Sequence, residues 1–251
     1  EGGDIHVLDV ASGTTTRLID KAFNPSFSPD GSQIAVDAAW AGPHRIWTTD
    51  ARGRNPKQVT TDASEAVSHV DPAWSPDGSR IVFRRFEKTR ADIEVFDVRS
   101  QTTIRVTADG FDDMDPVWSP DGRYLYFSSN RGGGLNVWRV PVAPGSAGTP
   151  EQVTTGAGND VQPSVSPDGT RLAFSVLGLN SDLWRIPLDP KTGAPTGPPE
   201  SFIVTTREDS RGAWSPDGRM VAFNSDRLGD MNVWLHSMED GSERALTNGP
   251  G

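Results

Sequence analysis

Asp71-Pro72-Ala73-Trp74-Ser75-Pro76-Asp77-Gly78-Ser79-Arg80-Ile81-Val82-Phe83 holds the pattern that organises the whole chain. A tryptophan is followed by Ser-Pro-Asp-Gly and then by a short apolar run. Pro presets φ for the second position of a type I turn, Asp tolerates the third, and Gly takes the positive φ that follows. The stretch therefore reads as two strands joined by a tight hairpin turn. Ser-Pro-Asp-Gly begins again at Ser28, Ser119, Ser166 and Ser215, at intervals of 47, 44, 47 and 49 residues. A period of this size marks a repeat architecture.

The flanks repeat as well. Phe27, Trp74, Trp118, Val165 and Trp214 precede the turn, and Ile34-Ala35-Val36, Leu125-Tyr126-Phe127 and their equivalents follow it. A third segment ends in an aromatic: Ile46-Trp47, Val95-Phe96, Val137-Trp138, Leu183-Trp184 and Val233-Trp234. A fourth is closed by Thr60, Thr107, Thr154, Thr205 or Thr247. Each unit is thus four short strands rich in β-branched and aromatic residues. No sustained 3.6-residue apolar period predicts a helix. Four-stranded units of 40–50 residues are propeller blades; a solenoid is the rival, and the Trp-rich inner strand favours radial closure.

The expected fold is all-β, a single β-propeller domain over residues 1–251. Full blades are predicted at 23–60, 70–107, 114–154, 161–205 and 211–247, and a half blade at 1–20. In the half blade, Asp4-Ile5-His6-Val7-Leu8-Asp9 and Thr14-Thr15-Thr16-Arg17-Leu18 match the third and fourth strands. The residues from Thr247 to Gly251 read as a connection toward another first strand. Five and a half blades predict a six-bladed ring, with seven or eight as alternatives. The expectation is of a chain lacking part of its ring, whose open blade edges are sites of self-association.

Composition narrows the partners. The net charge is −10, which disfavours nucleic acid and suits a basic partner or simply a soluble surface. No stretch approaches the roughly 18 apolar residues of a membrane span, and Glu1-Gly2-Gly3-Asp4 has neither the basic nor the apolar region of a signal peptide. The chain has no Cys, so neither disulfides nor thiolate metal sites arise.

The repeats resemble those of the TolB-type propeller family over essentially the whole chain. The resemblance implies the propeller fold and a bacterial exported or envelope-associated protein, periplasmic or extracellular. Similar propellers occur in periplasmic TolB, as the gating domain of prolyl-oligopeptidase-like peptidases, and in sensory regions of bacterial regulators. A further N-terminal domain, present in TolB, is not visible here.

Candidate binding residues lie opposite the Ser-Pro-Asp-Gly turns, on the connections between blades and between second and third strands. The acidic set comprises Asp71, Asp113 and Asp115, joined by Asn159, Asp160 and Arg211. Two readings stand: strand caps on a solvated surface, or a negative funnel for a basic peptide. Ca²⁺ is the one cofactor these carboxylates suggest, although the spacing of Asp109, Asp112, Asp113 and Asp115 is not that of an EF-hand. Arg131 and Arg227 occupy matching places, as salt bridges between neighbouring blades or as contacts to a ligand carboxylate. Trp40 falls outside the repeat, as an exposed anchor or as packing. The chain lacks Gly-x-Ser-x-Gly and His-Glu-x-x-His, and its four His are scattered, with only His69 near a predicted channel mouth. The expected function is a non-catalytic scaffold for a protein, peptide or small ligand. The alternatives are the propeller of a larger enzyme such as a peptidase, a propeller hydrolase or lyase, and a scaffold without a native ligand.

Overall fold

The computed structural model describes residues 3–155, 158–178, 181–205 and 207–248. The expected connection after Thr247 runs into residues 249–251, and the start of the predicted half blade is residues 1–2; both lie outside the described residues. Strands β1 (Ile5–Leu8) and β2 (Thr15–Ile19) form a two-stranded sheet. The first repeat is the sheet β3 (Phe23–Phe27), β4 (Gln33–Ala38), β5 (Arg45–Asp50), β6 (Lys57–Gln58), and the second is β7 (Val67–Trp74), β8 (Arg80–Glu87), β9 (Arg90–Asp97), β10 (Thr102–Arg105). The third supplies β11 (Asp113–Trp118), β12 (Tyr124–Ser129), β13 (Asn136–Ala143), β14 (Ser146–Ala147) and β15 (Glu151–Gln152). The fourth is β16 (Asn159–Val165), β17 (Arg171–Leu177), β18 (Asp182–Pro187), β19 (Glu200–Ile203), and the fifth is β20 (Asp209–Trp214), β21 (Met220–Ser225), β22 (Asn232–Ser237), β23 (Glu243–Ala245). The fold is an all-β propeller with five blades, and no helix occurs among the described residues.

The chain divides into two compact units. One comprises residues 1–118 and 142–148, the other residues 119–141 and 149–251. In the first unit, Ile5, Ile19, Ala22, Ile34, Val36 and Ala38 form one buried cluster, and Ala35, Ile46, Trp74, Ile81, Phe83 and Phe96 form another. In the second, Leu183, Ile203 and Phe223 are buried with Phe202 and Trp234 packed against them. The second strand of the first four blades is sealed on both faces: Ile81, Val82 and Phe83 are fully buried, as are Leu125 and Phe127.

The Ser-Pro-Asp-Gly turn closes itself. In every repeat the Ser hydroxyl donates to the Asp carboxylate at 2.6 Å. The same oxygen accepts the backbone N–H five residues on, from Gln33, Arg80, Tyr124, Arg171 and Met220. The Gly follows at φ of 68° or 69°, a region open to Gly at little cost. The terminal Thr has a parallel role. Thr60, Thr107, Thr154 and Thr247 accept the backbone N–H of Ile46, Ile93, Val137 and Val233 through their hydroxyls, tying fourth strand to third.

Strand register corrects one expectation. Trp47, Trp138, Trp184 and Trp234 pair with Val36, Phe127, Phe174 and Phe223. In the second repeat the partner of Phe83 is Glu94, while Phe96 pairs with Ile81. Glu94, not Phe96, therefore holds the tryptophan place. The aromatic of Val95-Phe96 draws the alignment two residues past Ile93-Glu94, and pattern cannot detect this because a two-residue slip keeps every side chain on its own face.

Candidate binding site

In four of the five blades the first strand is interrupted at one place. Pairing with the second strand shifts register between Phe23 and Ser26, Val70 and Ala73, Val161 and Ser164, and Ser210 and Ala213. These are β-bulges, and each has a residue in left-handed backbone: Asn24 (φ 51°), Asp71 (55°), Gln162 (55°) and Arg211 (55°). Asp115 (52°) stands at the same point of the third repeat. In four of the five repeats the next residue is Pro, which has no N–H to lose from the ladder. A non-glycine residue in this region costs about 1 kcal/mol or more. Five repeats bear that strain with four different side chains.

In the first unit the bulges are linked through strand β4. Asp37, 1% exposed, accepts from Asn24 Nδ2 at 2.8 Å and from the Asp71 backbone N–H at 3.2 Å through Oδ1. Its Oδ2 lies 2.9 Å from His44 Nδ1. Asp71 in turn accepts from Arg84 Nη1 at 2.6 Å. A chain of polar contacts thus runs Asn24, Asp37, Asp71, Arg84 from one blade to the next. Arg84 offsets the charge of Asp71, so this rim is not a simple carboxylate funnel. In the second unit, Gln162 Oε1 accepts from Ser175 Oγ at 3.0 Å and from the Arg211 N–H at 3.2 Å. The Arg211 side chain is exposed, and among the described residues its guanidinium makes no hydrogen bond or ion pair.

The other candidate residues lie elsewhere. Asp113 and Asp160 sit two residues before the bulge and are buried, at 0% and 4% exposure, as is Asp209 at 0%. Burial pushes the Asp160 carboxyl up, opposed by the Thr154 hydroxyl. Asn159 is exposed and opens β16, in register with Leu177. Arg227 donates to Asp209 at 3.0 Å and to Ser225 Oγ at 3.0 Å, pairs with Glu243, and stacks over Trp234 at 4.6 Å and Phe223 at 5.2 Å. Those partners all belong to its own blade, so the bridge is internal to the blade. Arg131 follows the same plan, with Nε on Ser129 Oγ at 2.9 Å and its plane over Phe127 and Trp138. Trp40 packs on the first cluster, edge-on to Trp47 at 5.2 Å, with Nε1 donating to the Asp20 carbonyl at 3.1 Å.

The second repeat departs from this plan, and pattern reading missed it. His69 takes the place of the buried Asp, Arg85 that of Ser129 and Ser225, and Glu94 that of Trp. Arg85 Nε lies 3.2 Å from Asp62 and its Nη1 2.9 Å from Glu87; Arg105 lies 3.2 Å from Glu94. His69 is 2% exposed, stands 4.9 Å from the Phe83 ring and 3.8 Å from Asp62, and neither ring nitrogen is hydrogen-bonded. Burial, aided by Arg45 and opposed by Asp62, pulls the imidazole down to about 4. Aligning the repeats by strand register would have shown all three departures. Among the described residues no three His, Asp or Glu side chains converge to hold a metal ion.

Residues 63–186 match the family described as TolB beta propeller domain. The chain is 29% identical over 237 residues to the uncharacterized protein Atu1656 of Agrobacterium fabrum, covering 88% of this chain and 78% of that protein. It is 28% identical over 175 residues to a Protein TolB homolog of Chlorobium chlorochromatii, covering 64% of this chain but 37% of that protein. Its fold matches TolB from Acinetobacter baumannii with a TM-score of 0.79 at 21% identity, over 98% of this chain and 60% of the other. It also matches a puromycin-hydrolyzing peptidase of Mycobacterium tuberculosis, with a TM-score of 0.68 at 18% identity, over 99% of this chain and 42% of that one. The chain belongs to the class of bladed all-β repeat proteins, and over residues 63–186 its repeats are of the TolB propeller type. No helix among the described residues is long and apolar enough to cross a membrane.

Proposed function

We propose that this chain is a non-catalytic recognition module that binds a protein or peptide through the bulged ends of its first strands. The observation that carries this reading is the row of left-handed residues. One strained backbone geometry is repeated five times while its side chain changes among Asn, Asp, Gln and Arg. A purely structural bulge would favour Gly at each place. Strain kept in every repeat with varied polar side chains supports a surface built for reading a partner. In the first unit Asp71 with Arg84 presents both charges, and in the second Arg211 presents an exposed cation, so each unit offers polar contacts rather than a uniformly acidic surface. In the first unit Asp115, and in the second Asn159 and the loop between β12 and β13, belong to the expected contacts.

The test is selection from a random-peptide display library on the wild-type chain. Selected peptides should bind Asp71→Asn or Arg211→Gly, according to the unit they occupy, at least about tenfold more weakly, a loss of roughly 1.4 kcal/mol. The thermal midpoint of Arg211→Gly should not fall, because Gly relieves the left-handed backbone. Peptides that bind both variants as tightly as the wild-type chain would sink the proposal.

The two-stranded sheet β1–β2 is read here as the third and fourth strands of a sixth blade. A bacterial periplasmic or extracellular location accords with the TolB relationship, and fractionation of cells expressing the natural gene tests it. The likeness to a peptidase supports a second reading, in which this propeller is one domain of a larger enzyme.

A further inference from the structure

The repeat provides its own internal control for a second site, independent of the one above. In the second unit Phe202 precedes the buried Ile203 of β19. Its ring lies parallel to Trp214, 6.2 Å away at 11°, and edge-on to His236 at 4.9 Å. Trp214 directly precedes the fifth Ser-Pro-Asp-Gly turn, and His236 pairs with Val221. The same three places in the first unit are held by Gln58, which precedes Val59, by Trp74, and by Phe96, which pairs with Ile81. Here the ring is missing. Gln58 turns its amide back onto the Thr60 carbonyl at 2.9 Å. The strand Gln58 belongs to lacks the bulge that β19 makes beside Trp184, which swings Phe202 toward the next blade. Trp118 in turn has its face covered by the Arg80 guanidinium at 4.5 Å.

What remains beside Trp74 and Phe96 is a cleft of about 370 Å³. Its apolar wall is made of rings that pack against a further ring where the repeat supplies one. Its rim carries Lys57, Gln33 and Gln101, and no Asp or Glu lines it, although the chain has a net charge of −10. Lys57 is exposed and makes no ion pair among the described residues. We infer that this cleft binds an aromatic carboxylate, with the ring against Trp74 and Phe96 and the anion toward Lys57. The chemistry is shared by a free aromatic acid and by the C-terminal residue of a peptide ending in Phe or Tyr. Ring packing of this kind adds to the area buried, and the exposed charge pair contributes less.

The probe is 3-phenylpropionate, titrated into the ¹⁵N-labelled chain to about 10 mM, which reaches past the millimolar affinity such contacts support. The indole N–H signal of Trp74, assigned by its loss in Trp74→Phe, should shift saturably while those of Trp118 and Trp214 stay in place. Lys57→Glu should weaken binding about fivefold, the effect of an exposed charge pair, and 3-phenylpropionamide should bind correspondingly more weakly than the acid. A peptide ending in Phe that saturates at lower concentration than the free acid assigns the ligand as a chain end. A peptide that fails where the acid binds assigns a small acid, and either result supports the shared chemistry. No shift of the Trp74 signal, or equal affinity for acid and amide, overturns the inference. The peptide-binding module proposed above would survive that failure, since none of its residues lines this cleft.

Discussion

At the scale of single residues, the hydroxyl of Ser75 does the work of a small scaffold. It donates to Asp77 and accepts the N–H of Arg80, and with its residue fully buried no water can replace it. Ser75→Ala should therefore cost about 1–3 kcal/mol in urea unfolding, the penalty of a buried donor left unmade. The turn carboxylates are held well below their ordinary range. Donation from Ser28 and Ser32 brings Asp30 from 3.8 to about 2. For Asp77 burial acts upward but is outweighed by Ser75 and Ser79, again giving about 2. Their stabilising effect is complete above pH 4 and is lost as pH falls toward 2, because there the unfolded chain binds protons that the folded one refuses. His69 acts earlier. Its ordinary 6.5 falls to about 4 in the folded state, so acidification from 6.5 to 4 protonates the unfolded chain first and costs stability. A plot of thermal midpoint against pH should descend in two stages, and His69→Asn should flatten the upper one while leaving the lower intact.

At the scale of elements, the fifth blade is braced where its first strand begins. In the fifth blade Arg227 lies over Trp234 and Phe223 and neutralises Asp209, which has no exposed surface. Removing one partner of a buried pair leaves an uncompensated charge, so Arg227→Met should destabilise by about 3–5 kcal/mol. Arg227→Lys should recover little, since a point charge cannot serve Asp209, Glu243 and two rings together. Denaturant midpoints of the two variants check this. The repeat pattern alone put Arg131 and Arg227 at equivalent places but could not say what they touch. The second blade shows the limit more sharply. Its Glu94, His69 and Arg85 replace Trp, Asp and Ser, and only the pairing of Phe83 with Glu94 reveals that these three departures meet in one place.

At the scale of the whole molecule, 34 acidic residues against 24 basic ones put the isoelectric point near 4.8. Solubility should pass through a minimum near that pH as self-repulsion vanishes, measurable by precipitation across a buffer series. The five Ser-Pro-Asp-Gly turns, the strands around them and hence the propeller class were legible without coordinates. Each turn is closed by contacts within five residues, from Ser28 to Gln33 or Ser75 to Arg80, so its geometry is a property of its own short sequence. The bulge residues Asp71, Asp115 and Arg211 were also found by their position before the Trp, although nothing in the pattern announced their left-handed backbone. Tertiary structure alone decided the rest. It withdrew Asp113, Asp160 and Asp209 from solvent, turned Trp40 into packing on β1 and β2, and left Trp74 beside an open cleft where Trp214 has Phe202. Those outcomes depend on which strand lies against which blade, across separations far longer than a turn, and a local pattern holds no record of such contacts.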